Sequence, residues 1–84
     1  METTAAYSRR WSQPVAVRIG YGSSELIRGP AEAAHYLQHR WPADTGLYFE
    51  MAVRRCGTAI NLATSAEEAR EIFISAAIEA YVLA

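Results

Sequence analysis

Residues 65–82, SAEEAREIFISAAIEAYV, carry the clearest helix signal in this chain. Their opening SAEE has the form of a capping box, because the serine at 65 and the glutamate three residues later can each accept a bond from a free backbone N–H of a first helical turn. Apolar residues then recur at helical spacing. These observations predict a helix from Ser65 to about Val82, with one face made of Ala69, Ile72, Phe73, Ala76, Ala80 and Leu83.

A second apolar face lies on the opposite side of this helix, where Ile74, Ile78 and Tyr81 project at 100° per residue. A helix with two apolar faces is either enclosed by its own protein or partly exposed to a partner. Because 84 residues leave little material to enclose it, we predict that Ile74, Ile78 and Tyr81 form an interface with a second copy or with another protein.

Two further helices are predicted upstream. The first begins at Pro30, which suits a first-turn position, and is stopped by Pro42 after Trp41. The second is capped by Asp44 or Thr45 and contains Gly57, whose helical cost of about 1 kcal/mol suggests close approach of a neighbouring backbone. Its apolar stripe consists of Phe49, Ala52, Val53, Cys56, Ile60 and Ala63.

The N-terminal part predicts a β-hairpin. Val15, Val17 and Ile19 alternate with smaller or polar residues, glycines at 20 and 22 supply turn chemistry, and residues 25–28 return as a short strand. A lone hairpin needs a helix packed on it. The sequence therefore predicts an α+β fold (ββααα), a two-stranded antiparallel hairpin packed on three helices, with residues 1–12 as a flexible tail and 13–84 as a single domain.

Composition limits the class and the compartment. The net charge is −1 and the one cysteine, Cys56, excludes an intrachain disulfide. The first residues lack the apolar segment of a signal peptide, and no apolar run approaches the roughly 20 residues that span a bilayer. We expect a cytoplasmic protein that does not enter a membrane.

A family resemblance supports this outline. The segments Pro14-Val15-x-Val17, Ala31-Glu32-Ala33-Ala34-x-x-Leu37, Arg40-Trp41-Pro42 and Ser65-x-Glu67-x-Ala69-Arg70-x-x-Phe73 closely resemble DUF982, a small bacterial domain of unknown function. The resemblance runs from Pro14 to about Val82 and implies the same hairpin and three helices. Family members usually end the last helix with a small residue where this chain has Tyr81. No activity is implied by the resemblance.

The sequence contains two other groups of residues that are candidates for binding, as alternatives to a protein interface. The basic and aromatic residues Arg9, Arg10, Trp11 and Arg18 have the composition that binds single-stranded nucleic acid, although a chain of pI near 6.1 is not a typical binder. Glu32, His35 and His39 share a helix face and are candidate metal ligands, but a solvated helix face is the simpler interpretation.

Catalysis has little support in the sequence. Cys56 falls on an apolar stripe, where a thiol behaves as a small hydrophobe. Gly20-Tyr21-Gly22-Ser23-Ser24 lacks the GK[ST] ending of a phosphate loop and leads into a strand. Arg70 is expected to pair with Glu67 or with a carboxylate of another helix. We predict no catalytic residues and no cofactor, and therefore a small interaction or regulatory domain that self-associates through its last helix.

Overall fold

The computed structural model describes residues 10–42, 45–60 and 66–84. Its elements follow the order β1, β2, α1, α2, α3, and the two strands pair antiparallel with Val15 opposite Ile27. The predicted α+β arrangement, a hairpin followed by three helices, is confirmed. The bounds are Val15–Val17 (β1), Glu25–Ile27 (β2), Pro30–His39 (α1), Leu47–Ala59 (α2) and Ala66–Glu79 (α3).

The connection between β1 and β2 is an exposed loop. Gly20 has a φ of 79°, in the region that favours glycine, and Tyr21 at its tip is fully exposed. The loop leads into β2, not into a helix N-terminus. It is therefore a hairpin turn, as the sequence indicated, and offers no helix end to a phosphate group.

The first helix begins and ends close to the prolines. Gly29 precedes it in an extended conformation and Pro30 occupies its first turn. Glu32 in the same turn accepts the backbone N–H of Arg28 at 2.9 Å. The helix ends at His39, just ahead of the Trp41-Pro42 pair that predicted its end.

The core is built around one phenylalanine and many alanines. Phe73 is fully buried, and the rings of Trp11 and Trp41 lie against it with centroid separations of 5.6 Å and 5.4 Å. Small side chains on the inward faces let the helices approach closely. Among the described residues, the other fully buried apolar side chains are Val17, Ile27, Pro30, Ala33, Ala52, Cys56, Ala59, Ala69, Ala76 and Ala77.

Residues 11–13 are held against the domain by three backbone contacts. The Trp11 N–H donates to the carbonyl of Arg28 at 2.8 Å. The Ser12 N–H donates to the Glu67 carboxylate at 2.9 Å, and the Arg70 Nε donates to the carbonyl of Gln13 at 2.8 Å. The packed domain therefore already includes Trp11, two residues before the predicted boundary at 13. Residues 1–9 of the predicted tail lie outside the described residues.

Arg70 does not form the pair that the sequence suggested. Besides the Gln13 carbonyl, its guanidinium lies 3.5 Å from the neighbouring Glu71. Glu67 is instead engaged by Ser12 through both the N–H and the hydroxyl. The Glu67 and Arg70 pattern that carried much of the family resemblance thus anchors the N-terminal segment.

The last helix ends three residues earlier than predicted, at Glu79. Tyr81 adopts a φ of 62°, and the backbone closes a Schellman motif: the N–H of Val82 donates to Ala77 at 2.9 Å and that of Tyr81 to Ile78 at 3.1 Å. Glycine usually holds the left-handed position of this motif, which accounts for the small residue expected there from the family resemblance.

Replacing Tyr81 by glycine is therefore expected to stabilise the protein. The side chain is 95% exposed and loses no packing, whereas the left-handed conformation costs a residue with a Cβ about 1–2 kcal/mol. After glycine's greater unfolded-state freedom is subtracted, Tyr81→Gly should raise the free energy of unfolding by about 1 kcal/mol in urea denaturation. Tyr81→Ala, which keeps the Cβ, is the control and should change little; equal effects of the two variants would contradict this account.

Beyond the Schellman motif the chain joins the sheet. The N–H of Arg18 donates to the carbonyl of Val82 at 2.8 Å, and that of Ala84 donates to Ala16 at 3.0 Å, with an antiparallel bridge between Val17 and Leu83. β1 thus has β2 on one side and residues 82–84 on the other. Leu83, predicted on the inner face of the helix, lies instead in this extended segment.

Gly57 has no close neighbour, contrary to expectation. It is exposed, and apart from the backbone of its own helix turn a Cβ placed on it would meet no atom within 4 Å. The predicted compensation, close approach of another backbone, is therefore wrong for this glycine. Ser65, Asp44 and Ala63, to which the sequence gave capping and packing roles, lie outside the described residues.

Candidate functional site

Two exposed apolar side chains, one from each helix, meet where α2 begins and α3 ends. Ile78 is 57% exposed and Tyr48 is 40% exposed. Together with Ser75 and Glu79 they line a shallow groove of about 250 Å³, here named the Tyr48–Ile78 groove. An apolar pair of this kind at the surface of so small a domain is available to a partner.

Glu79 shapes the groove by capping α2. Its carboxylate accepts the backbone N–H of Tyr48 at 3.2 Å and that of Phe49 at 3.1 Å. These are free donors of a first helical turn, and an acidic group at this end also interacts favourably with the helix dipole. The predicted cap from Thr45 is not formed, because the position before the helix is taken by Gly46. The Glu79 carboxylate at one end of the groove is therefore held in place by hydrogen bonds to the α2 backbone.

The three residues predicted as an interface do not behave alike. Ile74 is only partly exposed and packs against the core. Ile78 lies in the groove, and Tyr81 projects into solvent just beyond the helix end. Tyr48 was not found from the sequence, because its proximity to Ile78 depends on how α2 and α3 pack, which no spacing along one helix reveals.

The aromatic member of the predicted nucleic-acid group is buried in the fold. Trp11 is only 5% exposed and packs on Phe73, so its ring is not available to stack on a base. Arg10 and Arg18 are exposed, and Arg9 lies outside the described residues. Trp11 is therefore a core residue and not a nucleic-acid contact.

The candidate metal ligands on α1 are partly brought together. The imidazole rings of His35 and His39 are exposed, with centroids 4.8 Å apart. Glu32 accepts the Arg28 N–H instead of joining them. Across residues 10–42, 45–60 and 66–84, no group of three or more histidine, cysteine, aspartate or glutamate side chains lies close enough together to share one metal ion.

Cys56 is a buried core residue. Its side chain is fully enclosed, and this burial raises the pKa of the thiol to about 12. The thiolate, which is the nucleophilic form, is correspondingly rare near neutral pH. Its position on the apolar stripe of α2 agrees with the interpretation as a small hydrophobe.

A polar cluster that the sequence did not reveal joins β2 to α1. Arg40 donates two hydrogen bonds of 2.9 Å to the Glu25 carboxylate, and the Tyr36 hydroxyl also donates to it. The guanidinium carbon of Arg40 lies 4.6 Å from the centre of the Tyr36 ring. Arg40 is the C-cap residue that follows α1, four positions after Tyr36, but only the tertiary fold identifies Glu25 as the partner of both.

The charges in this cluster shift the pKa of Glu25. The hydrogen-bonded Arg40 guanidinium, followed by the Tyr36 hydroxyl, lowers the pKa of that carboxyl below its ordinary value of 4.5. The same contact raises the pKa of Tyr36, because the hydroxyl proton is held against a carboxylate. A depressed folded-state pKa means that this contribution to stability is complete above pH 4.5 and is lost as the pH falls through the folded value.

An NMR titration of the Glu25 carboxyl tests whether Arg40 lowers its pKa more than Tyr36 does. The midpoint should lie below 4.5 in the unmodified protein, rise most in Arg40→Gln and rise less in Tyr36→Phe, because the guanidinium is the larger cause. A larger rise in Tyr36→Phe than in Arg40→Gln would contradict the assignment. Urea denaturation of Glu25→Gln should show a stability deficit at neutral pH that shrinks on acidification.

The structure thus defines a small α+β domain with a capped, partly apolar groove. The chain belongs to the family described as protein of unknown function (DUF982), whose model matches residues 13–84. No curated protein and no solved structure matches it. Among the residues that the structure describes, no helix has both the length and the apolar character to cross a membrane.

Proposed function

We propose that this domain is a non-enzymatic protein-interaction module that self-associates through the Tyr48–Ile78 groove. The observation that carries the proposal is the exposure of Ile78 over 57% of its surface beside Tyr48 at 40%. Leu, Ile, Val and Phe make up only 17 of the 84 residues. Burying a large apolar side chain is favourable, and a domain this small has few of them in its core. Association that covers Ile78 and Tyr48 would therefore add to the stability of the folded protein.

A second copy is the occupant that fits best. In a twofold dimer the same patch faces itself, so Ile78 of one copy packs against the partner's Tyr48 and the reverse contact forms by symmetry. A net charge of −1 on each chain opposes this association only weakly. Glu79 beside the groove is already bound to two backbone N–H groups, which lowers the penalty of covering it.

The single cysteine supports two parts of this proposal: that the domain is not catalytic, and that it resides in a reducing compartment. The thiol of Cys56 is enclosed in the core and has a raised pKa, which disfavours its use as a nucleophile. With a single cysteine the domain relies on packing and not on an internal disulfide. We therefore propose that the protein is cytoplasmic.

Light scattering coupled to size-exclusion chromatography tests the self-association. The unmodified protein should be a dimer at high micromolar concentration, and Ile78→Asp should be a monomer with unchanged helical circular dichroism. Leu26→Asp is the matched control: Leu26 is 47% exposed on β2 and does not line the groove, so this variant should remain dimeric. A monomeric unmodified protein, or a dimer that survives Ile78→Asp, would reject the groove as a dimer interface.

A further inference from the structure

We infer that His35 and His39 form a two-histidine chelate for a divalent transition-metal ion on the exposed face of α1. The two residues are four apart in a regular helix that extends over Pro30–His39. Side chains at this spacing lie one turn apart on the same face. Both are exposed, so an ion reaches them without any rearrangement of the core.

The separation of the rings matches the geometry of a shared ion. Zinc–imidazole bonds are about 2.0–2.1 Å long, and tetrahedral coordination of two imidazoles by one ion places their ring centroids about 5 Å apart. The observed separation is 4.8 Å, with the ring planes tilted by 44°. The centroid separation therefore agrees with two imidazoles bound to one ion, and the folded helix has already removed part of the entropy of bringing the two side chains together.

Neighbouring contacts hold one ring of the pair in place. Tyr36 packs edge-on against His35, with centroids 6.0 Å apart and planes at 77°. The Tyr36 hydroxyl is in turn bound to Glu25 on β2. An imidazole supported in this way loses less rotational freedom when it binds a metal than a fully mobile surface side chain does.

The ligand set indicates the chemical class of the ion. Imidazole suits zinc, copper and nickel ions, whereas magnesium and calcium prefer oxygen ligands. Glu32 on the same face is engaged with the Arg28 N–H, so the site supplies two ligands. The remaining coordination positions are left for water or for a ligand from outside the domain, as in sites that keep an open position.

Calorimetric titration of the full chain with zinc chloride tests the chelate. We expect zinc binding that His35→Gln and His39→Gln each weaken by about tenfold or more, because losing a direct ligand matters at least as much as losing a residue that supports one. In NMR spectra, zinc should shift the imidazole C–H signals of both histidines in parallel. Gln38→Ala, at an exposed neighbouring position on the same helix, is the matched control and should bind zinc as the unmodified protein does.

Either of two results would overturn the chelate. One is the absence of zinc binding by the unmodified protein, and the other is unchanged affinity in the double variant His35→Gln/His39→Gln. Because both side chains are exposed, the variants should keep the circular dichroism of the parent, which separates loss of the site from loss of the fold. Repeating the titration on Ile78→Asp distinguishes this site from the proposed dimer interface, since zinc binding there should persist.

Discussion

Phe73→Ala is expected to remove a large part of the stability of this domain. Phe73 is fully buried and touches the rings of Trp11 and Trp41. Truncating a buried phenylalanine typically costs about 3–5 kcal/mol, whereas domains of this size are stable by roughly 4–13 kcal/mol in total. The variant should therefore unfold at a much lower urea concentration, and its tryptophan emission should move to longer wavelength near that lower midpoint.

The chain supplies a matched control, because Phe49 is its other phenylalanine. Phe49 is partly exposed and packs at the edge of the core. Phe49→Ala should lower the free energy of unfolding by about half as much or less, in proportion to the smaller apolar area it withdraws from water. Equal losses for the two variants would mean that the aromatic cluster around Phe73 is not the centre of the core.

Gly46→Ala is expected to have the second largest effect, a loss of about 3 kcal/mol in the free energy of unfolding. The backbone at Gly46 has φ 136° and ψ 146°, a conformation that is essentially restricted to glycine. A Cβ there would also overlap the Glu79 carboxylate, whose carbon would be 2.9 Å away. The substitution thus combines backbone strain with displacement of the α2 cap.

The same substitution at a second glycine provides the control. Gly57 lies inside α2 with open space around the position of a Cβ, so Gly57→Ala should stabilise the protein by up to about 1 kcal/mol. Chemical denaturation of both variants should therefore give effects of opposite sign.

A double-mutant cycle with Glu79→Ala separates the two contributions at Gly46. Glu79→Ala alone should cost about 1 kcal/mol, the usual value of a lost helix cap. If Gly46→Ala already displaces the carboxylate, the double variant should lose less than the sum of the single losses. Strict additivity would show that the cap survives in Gly46→Ala, and the strain alone would then account for the loss.

Elements of the fold could be predicted from the sequence where the residues that determine them lie within one short segment. Alternating Val15 and Val17 indicated β1, and the prolines at 30 and 42 bracketed α1, because these preferences act within a few residues. The end of α3 could not be found this way. Tyr81 continues the helical pattern of Ile74 and Ile78, and only the pairing of the following residues with β1 favours the left-handed turn.

Only the part of the candidate site that lies on a single helix could be predicted from the sequence. Ile78 was identified from its place on the second face of α3, whereas Tyr48 and the capping role of Glu79 depend on how α2 and α3 meet. The position of Trp11 depends on its packing against Phe73 and on its backbone hydrogen bond to Arg28, which are 62 and 17 residues away along the chain. Contacts between residues far apart in sequence leave no periodic signal in a single chain.

The pairing of β1 on both sides also bears on the order in which the domain assembles. The hairpin is short, and hairpins of this kind are barely stable alone in water. Its second backbone partner comes from residues 82–84, more than sixty residues further along the chain, and the segment before it is tied to Glu67 and Arg70 on α3. The hairpin thus gains its full set of contacts only after α3 has docked, so we expect the sheet and the last helix to form in a single cooperative step.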